Sequence, residues 1–170
     1  MSGEDIARFE VSPTRDQKDG AAMKQDAAST STGSGWEHFP HDADLGVRGF
    51  GPTPAVAFEQ AALAMCAAIA DPATVRHESA VAIEAEAESL DLLLLDWLNA
   101  LVYEMAERRM IFSAFEVSID GEELKARAFG ETVSRERHAP AVEVKGATFT
   151  ELAVVEERPG FWRAQCVVDV

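Results

Sequence analysis

The chain has 170 residues, 47% of them hydrophobic, which suits one domain with a real core. Its 30 acidic side chains outnumber 15 basic ones and give a net charge of −15, of which −13 falls from Trp36 onward. Such a surface repels a phosphate backbone, so no strong direct nucleic-acid binding by the domain itself is expected.

Residues 1–35 carry few large apolar side chains, and residues 28–35 have a flexible-linker composition. This segment reads as a disordered polar tail, because it buries too little to offset its ordering entropy. The folded domain is placed at 36–170. Its opening stretch holds His38, His41, Glu37, Asp42, Asp44 and the glycines 46, 49 and 51. Leu45 and Val47 then begin an apolar alternation, so the spacing predicts a solvated turn entering a β-strand.

Thr53 is placed to cap a helix that starts at Pro54. Phe58, Ala61, Ala62, Met65, Ala68 and Ile69 recur at helical spacing, and Asp71-Pro72 ends the run. Val81, Ile83, Ala85 and Ala87 alternate with Ala82, Glu84, Glu86 and Glu88, which predicts a strand with one solvated acidic face in preference to a metal site. A second helix follows over 91–109, capped by Ser89 or Asp91. Leu94, Trp97, Leu98, Leu101, Val102 and Met105 form its apolar stripe, Asn99 lies beside the stripe as a structural residue, and Arg108 and Arg109 suit the C-terminal end of the dipole. Phe115, Val117 and Ile119 pair through an Asp120-Gly121 turn with Leu124, Ala126 and Ala128. Residues 130–140 read as a polar loop containing His138. Val142 and Val144, then 149–155, suggest further strands. Arg158-Pro159-Gly160 turns into a last strand, with Trp162, Ala164, Cys166, Val168 and Val170 on one face and Val167 and Asp169 on the other.

This order predicts an α+β fold, a single domain with two helices packed on a mixed β-sheet. Cys66 and Cys166 sit in apolar runs and read as buried thiols. The longest apolar run, 61–70, is too short for a bilayer, which needs about 20 residues, and no signal peptide is evident. A cytoplasmic protein without membrane attachment is expected. There is no Walker lysine loop, dinucleotide fingerprint or nucleophile elbow, so nothing in the sequence suggests a covalent nucleophile.

His41-Asp42-Ala43-Asp44-Leu45-Gly46 resembles the His-Thr-Ala-Asp-hydrophobic-Gly signature that opens the archease family. Agreeing in order are Leu93-Leu94 with Asp96-Trp97-Leu98-Asn99, Phe129-Gly130-Glu131 with His138, Val144-Lys145-Gly146-Ala147-Thr148-Phe149, and the final Val168-Asp169-Val170. The resemblance runs from Trp36 to Val170 and implies an archease-like domain. It implies a divalent-cation site on Asp44, Asp169 and Val170, holding Ca²⁺, with Mg²⁺ or Mn²⁺ also suited to such hard oxygens. It implies that Asp44, Lys145 and Asp169 act on a partner or its nucleotide. His38, His41 and Asp42 would stand behind the ligands, orienting carboxylates. A rival zinc site on His38, His41 and Asp44 lacks an obvious further protein ligand.

The implied function is activation of the RtcB-type RNA ligase, by promoting its guanylylation and multiple turnover in tRNA splicing or RNA repair. The chain would then be a protein cofactor and not itself the catalyst. The alternatives are a metal-dependent phosphohydrolase using Asp44 and Asp169, and a general RNA-modification chaperone or scaffold. Four positions depart from the family pattern: Asp42 for Thr, Phe129 for Trp, Gly146 inside the Lys-Ala pair, and Thr150 for His.

Overall fold

The computed structural model describes residues 33–170. The predicted tail over 1–35 lies outside the described residues apart from its last three. In chain order the elements are β1 (Gly35–His41), β2 (Asp44–Gly51), α1 (Pro54–Ile69), one 3₁₀ turn (Pro72–Thr74), β3 (Ser79–Glu86), α2 (Leu90–Arg108), β4 (Met110–Asp120), β5 (Glu123–Thr132), α3 (Arg135–His138), β6 (Gly146–Ala147), β7 (Ala153–Arg158) and β8 (Phe161–Asp169).

Local chemistry sets the helix ends. The Thr53 hydroxyl accepts from the Val56 amide at 3.2 Å, and Pro54 opens α1. Ser89 caps α2 by accepting from Leu92 N at 3.2 Å. Asp91 is thereby free to accept from Val154 N at 2.8 Å, which ties the start of α2 to β7. Arg109 ends α2 in the left-handed region, at φ 56°.

The strands form two sheets, β1-β2-β8-β6 with β7 also on β8, and β3-β5-β4. The α+β class and the two long helices are as the sequence predicts. The sheet expected as one mixed layer is instead two, and each registered pair is antiparallel. Three of the pairs are tight hairpins, and a short connection permits only antiparallel pairing. Both helices contact both sheets, so one core cluster joins all the layers.

Three local expectations change. Residues 35–41 are strand β1, paired along their length with β2, where the sequence suggested a turn. Pro40, which lacks the amide a ladder needs, is tolerated because β1 is an edge strand. Within 130–140, Gly130–Thr132 continue β5 and Arg135–His138 form α3. The strands expected at Val142, Val144 and 149–155 shrink to β6 and to β7 from Ala153, leaving Phe149 71% exposed in a connection. Alternation alone cannot supply a neighbouring strand, and 139–145 finds single anchors instead: Ala141 N donates to Ile69 O and Lys145 N to Asp169 O, both at 2.8 Å.

Helix α1 lies on the backbone of β2. A Cβ at Gly49 would stand 2.2 Å from Ala61 N and 2.3 Å from Ala57 O, so only hydrogen fits there. Fully buried Ala57, Ala61 and Ala64 keep the same face of α1 short. Trp97 is fully buried on α2, and its indole N–H donates to Phe58 O on α1 at 3.1 Å. Cys66 and Cys166 are free and buried, and burial pushes both thiols up to about 12, which leaves them unreactive.

Gly49→Ala should therefore force α1 off β2 and cost about 1–3 kcal/mol, as overpacking does. Urea unfolding followed by circular dichroism measures this. Unchanged stability would show that the helix does not sit on this backbone as described.

Candidate cation and partner site

The first half of the site is the tip of the β1–β2 hairpin. His41 pairs with Asp44 across the two-residue turn Asp42-Ala43. Asp42 takes φ 49°, a conformation that Asp tolerates better than most residues, and a β-branched Thr would be strained there. This is a local reason for the Asp where the family favours Thr. Asp42 is 92% exposed, 3.9 Å from Nδ1 of His41. That Nδ1 is buried and makes no hydrogen bond. The Nε2 of His38 lies 2.7 Å from Ala64 O and donates to it, so His38 fastens the hairpin to α1.

The second half is the end of β8. In the β2–β8 register Leu45 faces Val168, and one further step along both strands brings Asp44 across from Asp169. Val170 follows, and it lines an open cleft of about 460 Å³ with His38, Asp44, Leu45, Ala67, Ala68 and Val142. Asp169 also faces Gly146 of β6, and its carbonyl accepts from Lys145 N. Asn99 holds this segment from α2 by accepting from Ala147 N at 2.9 Å and donating to Ala147 O at 3.2 Å. A Cβ at 146 would stand 3.3 Å from Asn99 Oδ1, so the glycine inside the Lys-Ala pair eases this approach. The exposed Lys145 lines a neighbouring cleft of about 410 Å³, whose wall at Val142 is shared with the first.

The fold thus gathers Asp44, Asp169 and Val170 at one end of the first sheet. It brings the main chain of Lys145 to the same place, and Lys145 also lines the adjoining cleft. The donors are carboxylate and main-chain oxygens, which fit a hard divalent cation. Nε2 of His38 is already used by Ala64 O, which takes a ligand from the zinc reading; among the described residues no three His, Cys, Asp or Glu side chains are grouped to hold any metal ion, so the cation reading rests on two aspartates with main-chain oxygen. The same finding covers the acidic row, where Glu84 faces Lys125, Glu86 faces Glu123, and Glu88 lies beyond β3.

The sequence reading missed a buried ionic lock beneath the 130–140 segment. Glu131 and His138 are 3% exposed. The Glu131 carboxylate accepts from Arg137 Nη1 at 2.9 Å and Nη2 at 2.7 Å, and from Arg76 N at 2.7 Å. His138 Nδ1 accepts from Ser134 N at 2.8 Å, which leaves Nε2–H to donate to Glu131 at 3.0 Å. A Glu and a His seven residues apart in a polar stretch were the available signal, but only the tertiary structure buries them. The hydrogen bonds from Arg137 and Arg76 hold the Glu131 carboxyl well below the usual carboxylate range.

Comparison with known proteins bears on the whole described domain. The model of the archease protein family matches residues 36–170. The archease of Pyrococcus abyssi is 36% identical over 139 residues, covering 79% of this chain and 98% of that protein. The archease of Methanosarcina mazei is 35% identical over 145 residues, covering 82% and 99%. The solution structure of Methanobacterium thermoautotrophicum protein 1598 superposes with a TM-score of 0.72 at 31% identity, covering 80% of this chain and 99% of that one. The crystal structure of a Thermotoga maritima archease, described as a possible chaperone, shares the fold at a TM-score of 0.51 and 15% identity, over 78% and 94% of the two chains.

The lock makes a pH prediction. A carboxyl depressed in the folded state stabilises the protein above the ordinary glutamate value of 4.5, and this stabilisation is lost as pH falls below it towards the depressed value. Thermal unfolding should show a wild-type Tm that declines below about pH 4.5. Glu131→Gln should unfold at lower temperature at pH 7, and the gap should narrow in acid. A gap that does not change with pH would mean that the ionised carboxylate is not what holds the segment.

Proposed function

The chain belongs to the archease family, and from that premise we propose that it activates an RtcB-type RNA ligase, promoting guanylylation and repeated turnover in tRNA splicing or RNA repair. It acts in the cytoplasm as a protein cofactor. Among the described residues no helix is long and apolar enough to cross a membrane. The observation that carries the reading is the meeting of Asp44, Asp169 and the main chain of Lys145 at one exposed end of the first sheet, from three segments of the chain.

Asp44, Asp169 and a main-chain oxygen of Val170 would hold a divalent cation, most simply Ca²⁺. When bound, such a cation would neutralise the clustered carboxylates and supply positive charge for an anionic group. The chain's own residues do the rest. The β2–β8 register fixes the spacing of the two aspartates. The Asp169 carbonyl holds the Lys145 amide and Asn99 holds the main chain of Ala147 two residues on, so the ammonium group reaches outward from a fixed base towards a nucleotide phosphate or a partner carboxylate. His38 secures the hairpin that carries Asp44, with His41 and Asp42 at its tip. An acidic end of this kind suits a ligase cleft built to hold RNA phosphates and metal.

The test is a guanylylation assay with limiting ligase and GTP. Asp44→Ala, Lys145→Ala and Asp169→Ala should each reduce stimulation about tenfold or more while changing stability by less than about 0.5 kcal/mol, as surface substitutions do. Calorimetric titration should show Ca²⁺ or Mn²⁺ binding that the Asp44→Ala, Asp169→Ala double variant loses. Full stimulation by all three folded variants would overturn the assignment. Phosphoester turnover by the protein alone, lost in Asp44→Ala, would favour a metal-dependent phosphohydrolase instead.

A further inference from the structure

The second sheet separates charge along its strands. Its turn end carries Glu86, Glu88, Asp120, Glu122 and Glu123, with Glu123 facing both Glu86 and Asp120. At the opposite end, marked by the pairs Ser79–Gly130 and Met110–Thr132, three connections converge. They contribute Arg76 before β3, Arg108 and Arg109 before β4, and Arg135 and Arg137 after β5. Five of the eleven lysines and arginines that follow Trp36 are therefore collected at one end of one sheet.

Hydrogen bonds fasten these connections together. Arg76 N donates to Glu131 at 2.7 Å, Val133 N donates to Arg109 O at 2.9 Å, and the Arg137 guanidinium straddles Glu131. Some of the acids here are engaged. Glu131 is buried against Arg137, Glu78 lies 4.0 Å from Arg76, and Glu104 pairs with Arg108, which leaves Asp71, Glu107, Glu136 and Glu143. Among the described residues Arg109 and Arg135 have no ion-pair partner, and both are exposed. On a domain of net charge −13 this end gathers far more cations than the turn end of the same sheet, so a phosphate chain meets less repulsion here than there.

An aromatic surface adjoins the arginines. His77 packs on Phe129 with ring centroids 6.3 Å apart, and Arg127 lies 5.0 Å over the same ring. His77 Nε2 is 2.9 Å from Ser113 Oγ, at the bulge in β4, which fixes the imidazole. Forked cations beside rings suit single-stranded nucleic acid, where guanidinium groups meet phosphates and bases stack on π-faces. An acidic protein surface would use the arginines but would gain little from the rings.

We propose that this end of the second sheet contacts single-stranded RNA, with Arg109 and Arg135 on phosphates and the His77–Phe129 pair as a stacking surface. The biological relevance rests on the ligase reading, because the RNA would be the strand that the ligase holds. Contact by this chain alone is weak and strongly salt-dependent, with a Kd of about 10⁻⁴–10⁻⁶ M. Arg109 is also replaceable without harm to the helix end, since its left-handed conformation suits glycine better than arginine.

Fluorescence anisotropy of a labelled RNA of about 12 nucleotides, titrated with the full chain at several salt concentrations, tests this. The Arg109→Gly, Arg135→Ala double variant should keep its Tm, bind about tenfold more weakly, and reduce the salt slope by about 1.4. His77→Ala and Phe129→Ala should each weaken binding at least about fivefold. The proposal is overturned if the wild type shows no salt-dependent RNA binding, if the double variant binds equally well, or if polyglutamate displaces the RNA as effectively as unlabelled RNA does. The titration contains no ligase, so its failure leaves the ligase reading standing. A chain that fails to stimulate the ligase can still pass it.

Discussion

The close approach of α1 to β2 is the constraint from which the rest of the structure follows. Gly49 and Gly51 remove Cβ atoms that would separate them, and Ala57 and Ala61 keep the facing helix surface short. With the helix seated that low, Ala64 O comes within reach of His38 and secures β1. Phe58 O likewise meets the Trp97 indole and locates α2. Helix α2 then presents Asn99 to Ala147 and Asp91 to Val154, so the short strands on β8 are fixed from the helical layer. This steric allowance thus extends through side-chain hydrogen bonds to both ends of the first sheet.

The candidate site lies where this scaffold stops. Asp44 begins β2 and Asp169 ends β8, so the carboxylates sit one step beyond the last pair of the β2–β8 ladder, Leu45 and Val168. Their spacing is set by the rigid ladder behind them, while their own side chains bury little. That placement separates function from stability: the apolar contacts belong to Val47, Cys166 and Val168, on the other side of the backbone. The opposite face of the same sheet is occupied differently. Glu37, Arg48, Gln165, Arg163 and Glu157 form one hydrogen-bonded chain across four strands, with Arg48 over Phe39 at 4.3 Å. Its charges are paired, and Gln165 at its centre is buried beneath them.

Charge is distributed by topology and not by sequence block. The arginines near one end of the second sheet come from positions around 76, 109 and 136, and no window of the sequence shows them together. Antiparallel pairing collects them because β3 and β4 start where β5 ends. The buried Glu131 holds that junction, with Arg137 and His138 satisfying it from the turn just beyond β5.

The sequence by itself determined the elements whose signals are local. Thr53-Pro54 and the alanine-rich stripe specify α1, Asp120-Gly121 specifies a hairpin, and the alternation from Trp162 to Val168 specifies which face of β8 joins the main core. The ordered motifs from Trp36 to Val170 also identified the family, because several short patterns in the right order are far more specific than any one. What only the tertiary structure decided depends on neighbours distant in the chain. Two sheets in place of one, strand β1 in place of a turn, and the loss of strand pairing around Val142 and Phe149 all turn on which edges are available. Periodicity reports a face but not a partner. The burial of Glu131 with His138 was hidden for the same reason: a polar residue reads as solvated until the fold supplies the arginine and the amides that satisfy it.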